Sequence, residues 1–156
     1  MAYTTVDENT FYVHGGRANP ELHGGIGEVK SQFFSLDLTR SWKTSDAPWT
    51  ALSYSDDFAA QSPPTGHSMT ASQDGQTLTF WMTGPTLIIG LDFSERSWIY
   101  YQSKFNIPDN KYNLHAARDP TTGLVYIPGA GASDNWNNIL EVNTDTQRIN
   151  STSLPA

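Results

Sequence analysis

Thr10-Phe11-Tyr12-Val13-His14-Gly15-Gly16 is the stretch from which the rest of the chain is read. It is a short apolar, aromatic strand running straight into a glycine pair, and its pattern returns twice. Thr79-Phe80-Trp81-Met82-Thr83-Gly84 is the second copy, and Leu124-Val125-Tyr126-Ile127-Pro128-Gly129 is the third. An aromatic residue stands three before the glycine each time: Tyr12, Trp81 and Tyr126. Recurrence at a spacing of about fifty residues marks a repeat architecture, whose units bury a continuous core only by stacking on one another.

Outward from these copies the chain divides into short strands and turns. In the first repeat Ala2 to Val6 is a strand, Asp7-Glu8-Asn9 a turn, and Gln32 to Leu38 a further strand. Arg17 to Val29, with Pro20 and three glycines, is a polar loop, and Trp42 to Leu52 is an edge-like fourth strand carrying Trp49. Ser53 to Pro64 links to the second repeat. There Ser68 to Ala71, Thr77 to Met82, Thr86 to Phe93 and Trp98 to Gln102 are the strands, with a hairpin turn at Gln73-Asp74-Gly75. After the linker Pro108-Asp109-Asn110 come Leu114 to Arg118, Gly123 to Ile127, Asn138 to Asn143 and Gln147 to Ser151, with a turn at Asp119-Pro120-Thr121-Thr122. The third strands align best: Leu36-Asp37-Leu38, Leu91-Asp92-Phe93 and Leu140-Glu141-Val142. Trp42 and Trp98 follow the first two, while Gln147 stands where a third tryptophan belongs. No window keeps a helical apolar stripe for three turns. The expectation is an all-β chain of three four-stranded antiparallel sheets, over residues 1–60, 61–108 and 109–156.

Strand, glycine pair, variable loop, aromatic strand and downstream tryptophan resemble the kelch repeat. That resemblance implies β-propeller blades, one per repeat, and a relationship to the central domain of galactose oxidase. Only Gly15-Gly16 is a true double glycine; Gly84-Pro85 and Gly129-Ala130 are half matches. Kelch domains imply protein partners. Some fungal chains of this look lie outside the cell on a membrane anchor. The oxidase chemistry does not carry over, because its cofactor needs a cysteine cross-linked to tyrosine, and the chain has no cysteine. Propellers close with about four to eight blades. Three blades therefore imply a partial propeller or one half of a six-bladed head-to-tail dimer.

Composition bounds the function further. The net charge is −7, and nine basic residues are scattered singly, so the clustered Lys and Arg that a nucleic acid requires are missing. The same scatter disfavours an anionic membrane surface. No apolar run is long enough to span a bilayer as a helix. Met1 to Thr5 lacks the basic and apolar regions of a secretory signal, so the chain is read either as cytoplasmic or as a piece of a longer precursor. Zero cysteine leaves the compartment open.

The remaining constellations are each weighed against a plainer reading. Gly24-Gly25-Ile26-Gly27 lacks the Lys-Ser/Thr continuation of a phosphate loop. Gly66-His67-Ser68-Met69-Thr70 has a proline-rich linker before it and a strand after it, the reverse of a nucleophile elbow. Ser72 to Thr77 resembles the Asp-box of sialidase-type propellers with glycine one residue early, and a hairpin turn explains it. His14 and His23 flank Glu21 and could form a two-imidazole, one-carboxylate site, although solvated histidines on a loop are favoured. His67 and His115 stand 48 residues apart at matching places in two repeats. A bond to a neighbouring blade is the structural reading for them, and a ligand contact in the channel the functional one. Trp136, amid asparagines after Asp134, suits sugar stacking or a protein hot spot, or else folds back on its own blade.

These readings make the chain a non-enzymatic, cofactor-free scaffold that takes a protein partner through inter-strand loops bearing Arg17, Glu21, His23, Asp134 and Trp136. The alternative is a carbohydrate-binding or carbohydrate-active propeller, which as a hydrolase would need converging carboxylates.

Overall fold

The computed structural model describes residues 1–16, 32–52, 67–81, 87–93, 95, 97–102, 115–128, 138–143 and 148–153. Twelve strands and one turn of 3-10 helix, Thr44–Asp46, are the regular elements among them. The strands form three four-stranded antiparallel sheets. They fall in two compact units, Met1–Thr65 and Gly66–Ala156, the first with one sheet and the second with two.

The first sheet has the order β1 (Ala2–Val6), β2 (Thr10–His14), β3 (Phe33–Asp37) and β4 (Trp49–Ala51). Asp7 and Glu8 sit at positive φ, 51° and 58°, closing the β1–β2 hairpin beneath a bond from Asn9 N–H to the Val6 carbonyl of 3.1 Å. Because side chains alternate across a strand, the registers Ala2↔His14 and His14↔Phe33 put Ala2, Val6, His14 and Phe33 on one face. All four are buried. Tyr3, Phe11, Phe34, Leu36 and Trp49 share the other face.

Two sequence expectations change here. The fourth strand does not span Trp42 to Leu52 but only Trp49–Ala51. Asp37 caps the turn after β3 by accepting from the Thr39 N–H and hydroxyl, the 3-10 turn follows, and Pro48 supplies no donor to a ladder. Trp42 lies in that irregular stretch, 38% exposed, its indole N–H donating to the Asp37 carbonyl at 3.2 Å. The registers Leu36↔Trp49 and Leu91↔Trp98 therefore match Trp49, not Trp42, with Trp98. The same register sets Ser151, not Gln147, opposite Leu140.

In the second unit β5 (Ser68–Ala71), β6 (Thr77–Trp81), β7 (Leu87–Asp92) and β8 (Ser97–Gln102) form one meander. The other runs β9 (Ala117–Arg118), β10 (Val125–Pro128), β11 (Asn138–Asn143) and β12 (Arg148–Ser153). The second sheet is covered on both faces. Met69, Leu78 and Phe80 are buried on one, and Thr70, Thr79 and Trp81 on the other, where Trp81 Nε1–H donates to Thr70 Oγ1 at 2.8 Å. The third sheet buries Val125, Ile127, Leu140 and Val142 on a single face.

The first strands of these two sheets adjoin. Ala116 N–H donates to Ser68 Oγ at 2.9 Å, and Arg118 Nη1–H reaches the Ala71 carbonyl at 2.8 Å. Another expectation changes here: β9 is Ala117–Arg118 rather than Leu114 to Arg118, and the Ala116 N–H just before it points away from β10 and donates to Ser68. Leu114 lies outside the described residues.

Candidate binding face on the first sheet

The face of the first sheet that bears Phe34 and Trp49 holds large apolar side chains in contact with solvent. Tyr3 is 62% exposed and Trp49 47% exposed, whereas Leu36 between them is 5% exposed. The ring geometry explains the contrast. Tyr3 and Phe11 lie 5.9 Å apart by ring centroid, Phe11 and Trp49 6.4 Å, and Phe34 and Trp49 6.5 Å. Phe11, Leu36 and Trp49 occupy one cross-strand row, so the indole leans over Leu36 to meet Phe11. Tilted and edge contacts of this kind contribute about 0.5–1.5 kcal/mol each beyond burial, enough to hold the rings in one arrangement.

A cleft of about 420 Å³ opens on this face, lined by Met1, Val13, Gly15, Gln32, Phe34 and Trp49. The glycine pair shapes its rim. Gly15 and Gly16 take φ of 70° and 130°, turning the chain out of β2 while Gly15 N–H still donates to the Gln32 carbonyl at 2.8 Å. By register the face carries Tyr3, Thr5, Phe11, Val13, Phe34, Leu36, Trp49 and Ala51, none of them charged. A charge-free, aromatic, solvent-facing surface takes a ligand by burial and ring stacking rather than by ion pairing.

The residues singled out from sequence fall elsewhere. Arg17, Glu21, His23, Asp134 and Trp136 lie outside the described residues. His14 is not a loop residue but a buried one at the end of β2, its ring edge-on to Phe33 at 5.6 Å. His67 is 3% exposed and stacks on Phe80 at 6.2 Å, while His115 is exposed. The matching of those two histidines is thereby corrected. Ala71 and Arg118, adjoining equivalent turns, are 47 residues apart, so a spacing of 48 leaves His115 one register position out and on the opposite face. The side chain that bonds to the first strand of the neighbouring sheet is shown at Ser68, which accepts from Ala116 N–H. Among the described residues no cluster of His, Cys, Asp or Glu could hold a metal ion.

The turn at Ser72 to Thr77 is knit by its own side chains. Ser72 Oγ–H donates to Asp74 Oδ1 at 2.5 Å, Gln76 N–H donates to the same oxygen at 3.0 Å, and Thr77 N–H donates to Ser72 Oγ at 2.8 Å. The Ser72 hydroxyl, then the Gln76 amide, hold the Asp74 carboxyl below its ordinary value. Asp119 does the same work in the β9–β10 turn, where the Thr122 hydroxyl and then the Thr121 amide lower its pKa. These carboxylates close hairpins.

Tyr3 and Trp49 were missed as site residues. The available signal was a run of apolar residues on both faces of one strand, Phe11-Tyr12-Val13 and again Phe33-Phe34, which an ordinary one-sided sheet does not need. No protein-family model matches this sequence, and no curated protein sequence matches it.

Proposed function

We propose that the chain is a non-enzymatic scaffold of the kelch-type β-propeller kind that binds a protein partner, with the aromatic face of the first sheet as the docking surface. The observation that carries this reading is the uncharged aromatic cluster of Tyr3, Phe11, Trp49 and Phe34 beside an apolar cleft, with Tyr3 and Trp49 exposed to solvent. Contiguous apolar surface of this kind on a folded chain marks an interaction site, and aromatic anchors dominate protein interfaces. The blade reading is supported by two consecutive four-stranded meanders whose first strands adjoin through Ser68 and Arg118. The sequence adds Arg17, Glu21 and His23 in the stretch that joins β2 to β3.

A neutral carbohydrate is the second reading. It is favoured by a cleft lined by both Gln32 and the half-exposed Trp49, since a sugar ring needs a stacking face and a hydrogen-bonding group together.

Hydroxyl-radical footprinting of the purified chain, alone and in extract of cells that make it, tests the proposal. Protection of Tyr3, Phe11, Phe34 and Trp49 in extract, abolished by protease treatment of the extract, is the expected result. Protection that survives protease but is competed by neutral oligosaccharides favours the second reading. Equal labelling under every condition overturns both.

A further inference from the structure

We infer that Asn150 is the acceptor for an N-linked glycan whenever the chain enters a glycosylating secretory compartment, and that the open face of the third sheet stays in solvent. This goes beyond the docking reading and concerns a different sheet. Asn150-Ser151-Thr152 is the one Asn-X-Ser/Thr triplet in the sequence, and its middle residue is not proline. Triplets of this sort arise often by chance, so what decides is where the structure puts the two recognised side chains.

Both stand on β12, an edge strand in the order β12-β11-β10-β9. Asn150 pairs with Glu141 and Thr152 with Ile139, so the two share the face opposite Val142 and Leu140, which are buried. Asn150 and Thr152 are exposed, as is Arg148, the next residue of β12 on that face. A bulky substituent there displaces no packed side chain. The acceptor amide lies on the exposed face and reaches to the neighbouring strand, its Nδ2 donating to Glu141 Oε1 at 3.3 Å. In the transfer, Nδ2 forms a bond to the anomeric carbon of the sugar on a lipid-linked diphosphate oligosaccharide. The carbon–oxygen bond to the diphosphate breaks, the electron pair leaves with the lipid diphosphate, and one amide proton is released. The product amide keeps one N–H, so the bond to Glu141 can persist after modification. An edge strand also frays most readily into the extended, unpaired form that a transferase must reach. Once in place, the glycan blocks addition of a foreign strand to that edge.

The test is intact-mass analysis of the full chain secreted from a eukaryotic host behind a cleavable leader. The expected result is the added mass of one N-linked glycan, removed by peptide-N-glycosidase with conversion of Asn150 to aspartate. It should be absent from N150Q and from T152A and retained in T152S. T152A leaves the Asn150–Glu141 bond in place, so it decides the matter if N150Q fails to secrete. Wild-type protein secreted with Asn150 unmodified, or a glycan that persists in T152A, overturns the inference.

Discussion

The first and third sheets each present one face to solvent, and the two faces are opposites. On the first sheet it carries Tyr3, Phe11, Val13, Phe34 and Trp49 and no charge. On the third it carries Ala117, Tyr126, Pro128, Ile139, Glu141, Asn150 and Thr152, a mixed face to whose described positions β12 contributes only polar residues. Exposure is common to both, so exposure alone marks neither as a site. The difference lies in what each strand sequence was built for. Leu140-Glu141-Val142 alternates apolar and acidic, the pattern of a strand with one face in water. Phe33-Phe34 and Phe11-Tyr12-Val13 are apolar on both faces, the pattern of a strand covered on both, yet on the side of Phe34 and Trp49 Leu36 is buried while Tyr3 and Trp49 stand exposed.

The largest expected effect separates a covered face from an open one. Trp81 is fully buried and bonded to Thr70, so Trp81→Ala should cost about 3–5 kcal/mol and lower the melting temperature severely or unfold the chain. Trp49→Ala should cost about 1 kcal/mol or less in the isolated chain, because the indole is half in water. Equal losses in thermal denaturation would erase the distinction drawn here. Between these extremes lies Gly123→Ala. Gly123 takes φ of 73°, and a Cβ there would sit 2.9 Å from Arg118 Nη2, inside the contact that joins the third sheet to Ala71. About 1–2 kcal/mol of destabilisation follows from the backbone conformation alone.

The smallest effect is electrostatic. The Asp74 and Asp119 carboxyls are held below their ordinary value in the native turns, so the unfolded chain binds protons more readily. Their contribution is full above the ordinary carboxylate pKa and is lost as pH falls through the lowered native values. Asp74→Asn with Asp119→Asn should therefore flatten the acid limb of a stability-against-pH curve and leave the neutral region little changed relative to its own maximum. An unaltered acid limb would show that the turns do not depend on the ionised carboxyls.

Much of the strand plan is legible, because period-two apolarity, the turns at Asp74-Gly75 and Asp119-Pro120 and the shared Leu-acid pattern are local signals. What stayed hidden was set by register. A one-residue difference, 47 against 48, separates buried His67 from exposed His115, and no local feature of either histidine announces it. The fourth strand was drawn too long because Trp42 and Trp49 both suit a strand, while the hydrogen bonds that Asp37 makes to Thr39 claim the intervening backbone for a turn. The aromatic face is hidden in the sequence for the same reason. Tyr3, Phe11 and Trp49 lie on three different strands and meet only when the registers are known.

Site-specific photo-crosslinking tests the central claim most directly. A benzoylphenylalanine placed at Trp49 is compared with one at Ala117, each in the full chain within cells that make it. The prediction is a discrete crosslinked protein band from position 49, lost when Tyr3→Lys is added, and none from position 117. Identical crosslinking from both positions, or none from position 49, would contradict the assignment of the aromatic face as a docking surface.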